Sequence, residues 1–301
     1  MISSINPATD QLLAEFVVLT EQQIDRQLAQ AAKAQKSWAR LGVQARRPYL
    51  NKVAATLRQQ KEALARIITL EMGKPLSEAL GEVEKCAWNF DFYAEQGPVF
   101  LADQVVASAA TDSRIVYDPL GLVLAVMPWN YPFWQVMRAA APVLIGGNGL
   151  VLKHASNVPQ CAMALEQVFK DAGLPEGLFC TMMVGASAVP RLIQDDRIAA
   201  VTFTGSTPVG RSIASVAGQA LKKQVLELGG SDPFIVLADA DIEAAAAVGV
   251  KARFQNTGQS CISSKRFIVE ESVAGRFVDA FVAITQKLVV GDPFAPASTI
   301  G

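Results

Sequence analysis

Four short apolar runs, LVLAVMP (122–128), LVLKH (150–154), TMMV (181–184) and AAVTFT (199–204), follow one another along the chain, and an amphipathic stretch follows each. Parallel strands can be joined only by long crossovers, and helices are the crossovers that keep the backbone paired. The alternation therefore predicts an α/β fold: a parallel sheet covered on both faces by helices. VLELGG (225–230), FIVL (234–237) and RFIVE (266–270) begin a second alternating region, with helices expected near 241–254 and 273–286. Between the helical start of the chain and the sheet, residues 104–109 and 113–118 are expected to form a hairpin.

The first third reads as helices. Thr20-Glu21-Gln22-Gln23 has capping-box spacing, with Ile24, Leu28, Ala31 and Ala32 at helical intervals behind it. Further helices are expected over roughly 43–72 and 76–96, punctuated by Gly73 and Pro75. A chain of 301 residues with 51% hydrophobic content can bury a large core. We divide it into residues 1–227, a helical lead-in and sheet domain, and residues 228–301, the start of a second α/β unit. That unit has only two strands and two helices before GDPFAPASTIG closes the sequence, so it is expected to be incomplete and the chain a fragment.

With 27 basic against 28 acidic residues, nothing in the charge favours nucleic acid or an anionic membrane. MISSINPATD lacks the basic start and apolar stretch of a signal peptide, and Pro142, Gly146, Gly147 and Asn148 break the most apolar region. A cytoplasmic protein is the expectation. Cys86, Cys161, Cys180 and Cys261 are widely spaced and His154 is the one histidine, so neither a metal site nor a disulfide framework is supported.

Cys261 stands apart from the other cysteines. Its segment, QNTGQSCISSKR (255–266), surrounds a thiol with small and amide-bearing residues instead of aliphatic ones. A free thiol, with pKa about 8.5, is only a few per cent thiolate at neutral pH unless its site helps. The turn at Gly258 and the amides of Asn256 and Gln259 are candidate donors; an ordinary half-buried cysteine is the other reading. Glu227 ends an apolar run before Gly229 and Gly230, where burial would suit it to general-base work; a carboxylate satisfied by backbone donors is equally consistent. Asn130 follows a strand at the carboxyl edge of the sheet, where α/β proteins bind ligands, and either presents a neutral donor there or caps the next helix. FTGSTPVG (203–210) reads as strand, tight turn and helix start, with Ser206 placed to cap, Pro208 in the first turn and open N–H groups that attract phosphate. Trp134 and Arg138 lie one helical turn apart, and an arginine fork suits a carboxylate as well as it suits solvent.

MPWN (127–130), LKHAS (152–156), FTGSTPVG (203–210), LELGG (226–230) and GQSC (258–261), in that order, resemble the aldehyde dehydrogenase superfamily. KHASNVPQCA with LELGGSDPFIV is similar to its bacterial succinate-semialdehyde dehydrogenases. The resemblance implies a Rossmann-type dinucleotide-binding domain, a second catalytic domain, and oxidation of an aldehyde through a thiohemiacetal and a thioester. It implies that Cys261 is the nucleophile, that Asn130 with the Cys261 N–H holds the oxyanion, and that Glu227 activates the hydrolytic water. Pro128, Trp129, Asn130, Lys153, His154, Ser156, Gly205, Ser206 and Leu228 would bind the cofactor. Many NAD-dependent relatives carry a glutamate where this chain has Ser156, and a carboxylate there repels a 2′-phosphate. NADP is the preferred cofactor expected, with NAD as second. Arg138, with Trp134, would meet a distal carboxylate of the substrate, although Gln255 stands where some semialdehyde dehydrogenases place a second arginine. The family forms homodimers or homotetramers, to which the 104–118 hairpin would contribute. Two alternatives remain: a cysteine hydrolase pairing Cys261 with His154, and an inactive dinucleotide-binding fragment that lacks the family's later elements.

Overall fold

A computed structural model describes residues 1–301. The chain opens with a hairpin of β1 (Ile2–Ile5) and β2 (Leu12–Phe16), then four helices: α1 (Glu21–Ala39), α2 (Val43–Gln59), α3 (Lys61–Met72) and α4 (Leu76–Phe100). The capping box is present: Thr20 Oγ1 accepts from the Gln23 N–H and Gln23 Oε1 accepts from the Thr20 N–H. The expected helix over 43–72 breaks at Gln60, and Gly73, at φ 87°, ends α3 in the left-handed conformation that glycine adopts at least cost. The opening hairpin was not anticipated. Its strands are short and interrupted by polar residues, so their pairing is invisible to a periodicity argument.

β3 (Gln104–Val105) and β4 (Arg114–Ile115) form the expected antiparallel hairpin, with shorter strands than the sequence suggested. The sheet follows: β5 (Leu122–Met127), α5 (Trp134–Ile145), β6 (Gly149–His154), α6 (Pro159–Asp171), β7 (Phe179–Thr181), α7 (Val189–Gln194), β8 (Ile198–Thr204), α8 (Thr207–Gln219) and β9 (Lys223–Glu227). All five strands are parallel, in the order β7-β6-β5-β8-β9. β7 lies two residues earlier than the TMMV run suggested, because Leu150, Val151 and Leu152 of β6 pair with Phe179, Cys180 and Thr181. β9 is a second correction. It belongs to this sheet rather than to the region after it, and it runs exposed along the edge, with Val225 60% exposed, instead of being buried.

Alternate residues of the central strands serve two cores. Ala125, Met127, Leu150 and Leu152 pack against α2 to α6, while Leu122, Leu124, Val126 and Val151 pack against α1, α7 and α8. Helix α4 lies close against α5: a Cβ at Gly97 would sit 2.5 Å from Ile145 Cγ1, so only glycine allows this approach. β10 (Asp232–Val236) and β11 (Ser264–Val269) form a separate parallel pair, flanked by α9 (Ile242–Phe254) and α10 (Glu271–Thr285) and packed through Phe234, Phe267, Phe277 and Phe281. No helix is long and apolar enough to cross a membrane.

Strand order reverses between β5 and β8: the chain builds β6 and β7 on one side of β5, then returns to place β8 on the other. The loops leaving the carboxyl ends of these neighbours diverge and leave a crevice. Leu152 is fully buried in the larger core, so Leu152→Ala is expected to destabilise the fold by about 3 kcal/mol, whereas Val225→Ala on the edge strand should cost under about 0.5 kcal/mol. Urea denaturation monitored by circular dichroism measures both.

Candidate active site

The crevice is a cleft of about 480 Å³ whose lining includes Pro128, Trp129 and Asn130 from the loop after β5, Gly205 after β8, Leu228 and Gly229 after β9, and Cys261. Residues scattered over more than 130 positions meet because each follows a strand end or, for Cys261, the turn before β11. Cys261 is partly buried, while Cys86, Cys161 and Cys180 are fully buried and burial pushes their thiols up. Lys265 Nζ bonds the carbonyls of Gly230 and Cys261 at 3.0 and 2.9 Å, holding the LELGG loop against the cysteine loop.

Asn130 does not cap α5. Its Nδ2 donates to the Gln259 carbonyl at 2.8 Å, which leaves its second amide proton free, and the Cys261 N–H also makes no hydrogen bond within the protein. Both residues line the same cleft, and a pair of uncommitted donors is what a developing oxyanion requires. The Asn256 amide does not serve the thiol as expected. It donates to the carbonyls of Asn130 and Gln259, at 2.8 and 3.2 Å.

Glu227 departs further from expectation. Its side chain is 52% exposed, not buried, and lines a separate groove of about 690 Å³ together with Trp134 and Arg138. Arg138 Nη2 donates to Thr204 Oγ1 at 3.1 Å and Nη1 lies 3.8 Å from Glu227 Oε1. The carboxylate thus lines a different hollow from Cys261, one residue before Leu228, which lines the cysteine's cleft. Gly229 and Gly230, both exposed, follow it. Gln255 lines a third hollow of about 220 Å³ with Tyr131, Trp134 and Lys85, whose Nζ lies 4.0 Å above the Trp134 ring.

Lys153 and His154 end β6, buried. Burial alone holds the Lys153 ammonium below its ordinary range, with no carboxylate to offset it. His154 Nε2 donates to the Pro132 carbonyl at 2.8 Å and Nδ1 accepts the Ala155 N–H at 2.9 Å. Both ring nitrogens are committed, so His154 pins two loops together and has no lone pair or proton for Cys261; the hydrolase alternative loses its base. Nor does its ring offer a hydrogen bond to a cofactor. Ser156 is exposed beside a hollow of about 440 Å³ that Asn157 and Gly185 also line.

Whether these residues suit a dinucleotide can be tested on the turn at α8. Ser206 occupies the N-cap position, but its side chain makes no capping bond, so the first N–H groups of α8 remain open to an anion. Gly205, just before Ser206, has no room for a side chain, because a Cβ there would meet the Phe203 ring at 2.5 Å. The chemistry of this turn fits a phosphate group, and Lys153 at the end of β6 is a buried cation with no carboxylate partner.

A cluster beneath the loops went unrecognised in the sequence. Lys74, with no exposed surface, pairs with Glu82, lies 2.5 Å from Asn256 Oδ1 and stands 4.4 Å from the Tyr131 ring centroid. Burial pushes the Tyr131 phenol up to about 12, so it stays neutral. Glu82 Oε1 accepts the N–H groups of Phe133 and Trp134, each at 2.8 Å, and so caps α5. Glu78 Oε1 accepts the Asn256 N–H at 2.8 Å, and burial raises the Glu78 carboxyl above its usual range. Asn256 and Thr257 are both left-handed, at φ 57°, a conformation that costs non-glycine residues about 1–3 kcal/mol each. The signal was present: Glu82 interrupts the apolar stripe of Ala79, Val83, Cys86 and Phe90 on α4.

Comparison with known proteins identifies the family. The aldehyde dehydrogenase family model matches residues 1–301, and the chain belongs to that family. It is 50% identical over 300 residues to a probable NADP(+) succinate-semialdehyde dehydrogenase of Synechocystis, covering 100% of this chain and 66% of that one. It is 46% identical over 298 residues to an NAD(P)+ succinate semialdehyde dehydrogenase of Escherichia coli, covering 99% of this chain and 64% of the relative. The crystal structure of the succinic semialdehyde dehydrogenase of Streptococcus pyogenes with NADP+ superposes with a TM-score of 0.96 at 37% identity, covering 100% of this chain and 66% of that one. The chain thus spans about two thirds of the length of the relatives it matches.

Burial pushes the His154 imidazole down from 6.5 to about 4, so it is neutral in the folded protein. Between those values the unfolded chain binds a proton that the native state does not. Stability therefore falls as pH drops from 6.5 towards 4, by up to about 3 kcal/mol from this group. His154→Gln, which keeps a donor for Pro132, should flatten that part of the profile in urea denaturation at pH 7 and pH 4.5.

Proposed function

We propose that the protein oxidises an aldehyde, succinate semialdehyde to succinate, with NADP as preferred cofactor and NAD as second. The observation that carries this reading is the cleft at the strand-order reversal, lined by Cys261, by Asn130 with its uncommitted amide proton, and by Gly205 just before α8. Cys261 Sγ, as thiolate, adds to the aldehyde carbon while the C=O π pair moves to oxygen, giving a thiohemiacetal, and loss of that carbon's hydrogen as hydride, with the C=O re-formed, leaves the thioester. The negative charge that develops on oxygen is met by the second Asn130 amide proton and the Cys261 N–H. Pro128, Trp129, Leu228, Gly205, Ser206 and Lys153 would hold the dinucleotide, which when bound supplies the acceptor for a hydride. Glu227 takes the proton of the water that hydrolyses the thioester, after swinging from the outer groove about Gly229 and Gly230.

Arg138 is the proposed partner of the substrate's distal carboxylate, with Trp134 as its wall. Its contact with Glu227 is loose, which leaves guanidinium donors available. The two-domain division at residue 227 is supported by β9 ending one sheet there and β10 starting another. A homodimer or homotetramer is supported by the apolar, exposed Val105, Ile115, Val116 and Tyr117 of the β3–β4 hairpin. A cytoplasmic location accords with four free cysteines.

The test is formation of NADPH, followed by absorbance, with succinate semialdehyde and with neutral aldehydes of similar length. Cys261→Ala is expected to abolish oxidation of all of them. Arg138→Gln should raise KM for succinate semialdehyde about tenfold or more and leave neutral aldehydes unchanged. Ser156→Glu, which puts a carboxylate where the 2′-phosphate would lie, should turn preference from NADP to NAD; an unchanged NADP/NAD efficiency ratio would remove the role given to Ser156.

A further inference from the structure

The orientation of the Asn256 amide follows from what surrounds it. Lys74 Nζ has only donors, so the amide atom 2.5 Å away must be the oxygen. The nitrogen is then turned the other way, where it donates to the carbonyl of Asn130 at 2.8 Å and that of Gln259 at 3.2 Å. Asn130 Nδ2 donates to the same Gln259 carbonyl at 2.8 Å. One side chain therefore bolts the loop after β5 to the loop that reaches Cys261 two residues beyond Gln259. Its backbone is held equally firmly. The left-handed pair Asn256-Thr257 includes a β-branched residue, a poor occupant of that region, and the Asn256 N–H is anchored on Glu78 Oε1.

We propose that Asn256 is the positioning residue that sets the separation of the Cys261 thiol from the Asn130 amide, and that Lys74 fixes which way its amide points. The inference rests on the roles of Cys261 and Asn130 given above. Asn256 touches no reacting atom; it acts through the two peptide carbonyls it holds. An aspartate has nearly the same shape and keeps an acceptor for Lys74, but it sets a second oxygen against those carbonyls. Asn256→Asp therefore drives the loops apart, Asn256→Ser releases them, and Lys74→Met removes the group that orients the amide.

Hydrogen exchange read by mass spectrometry and steady-state kinetics test this on the full chain. All three variants are expected to speed exchange about tenfold in peptides covering 128–134 and 255–263 together, with β5 and β6 unchanged. The kcat for aldehyde oxidation should fall about a hundredfold, the scale of a misplacement of about 1 Å, while KM for the dinucleotide, which Leu228, Gly205, Ser206 and Lys153 outside these loops also hold, changes much less. Asn256→Ser carries the test if the aspartate variant does not fold. Faster exchange in only one loop, or in neither, overturns the proposal, as does a kcat within about twofold of the parent, the result expected of a residue that only stabilises the fold. A parent protein that oxidises no aldehyde removes the proposed reaction, and the exchange data still decide whether Asn256 couples the loops.

Discussion

The Lys74 ammonium, with no exposed surface, is the charge around which the site is assembled. A buried cation is tolerated only where its partners are fixed, and removing one member of such a pair typically costs about 3–5 kcal/mol. Here the partners are Glu82 on α4, the Asn256 side chain and the face of Tyr131, so three segments far apart in sequence must converge on one point. Glu82 in turn caps α5, and Glu71 does the same for α6 by accepting the N–H groups of Gln160 and Cys161. Buried carboxylates at helix N-termini compensate both the open N–H groups and the positive end of the helix dipole.

Convergence below the loops complements divergence above them. The strand-order reversal between β5 and β8 opens space at the carboxyl edge of the sheet, and the cluster under it limits how far the surrounding loops relax. Cys261 and Asn130 thus line one cleft while Glu227 and Arg138 line another groove.

Much of this was legible in the sequence, for a physical reason. Parallel strands buried on both faces are apolar throughout, so β5, β6 and β8 stood out, and a thiol among small polar residues marked Cys261. Edge and surface elements were harder. β9 carries the apolar residues of a core strand while lying exposed at the sheet edge, and the β1–β2 hairpin has too few residues to show a period. Helix caps supplied from a distance leave almost no local trace: Glu82 acts on residues 51 and 52 positions away, and only its place in an apolar stripe hinted at it. The commitments of His154 and Asn256 were equally hidden, because hydrogen-bond partners across loops depend on backbone paths that no spacing rule contains.

The central claim is that Cys261 and Asn130 form one reaction centre at the sheet's switch point. A crystal structure of the protein soaked with NADP and succinate semialdehyde tests it most directly. The account requires continuous density from Cys261 Sγ to the substrate carbon, with the bound oxygen within hydrogen-bond distance of both Asn130 Nδ2 and the Cys261 N–H. Density attached to another residue, or an oxygen turned away from both donors, would contradict it.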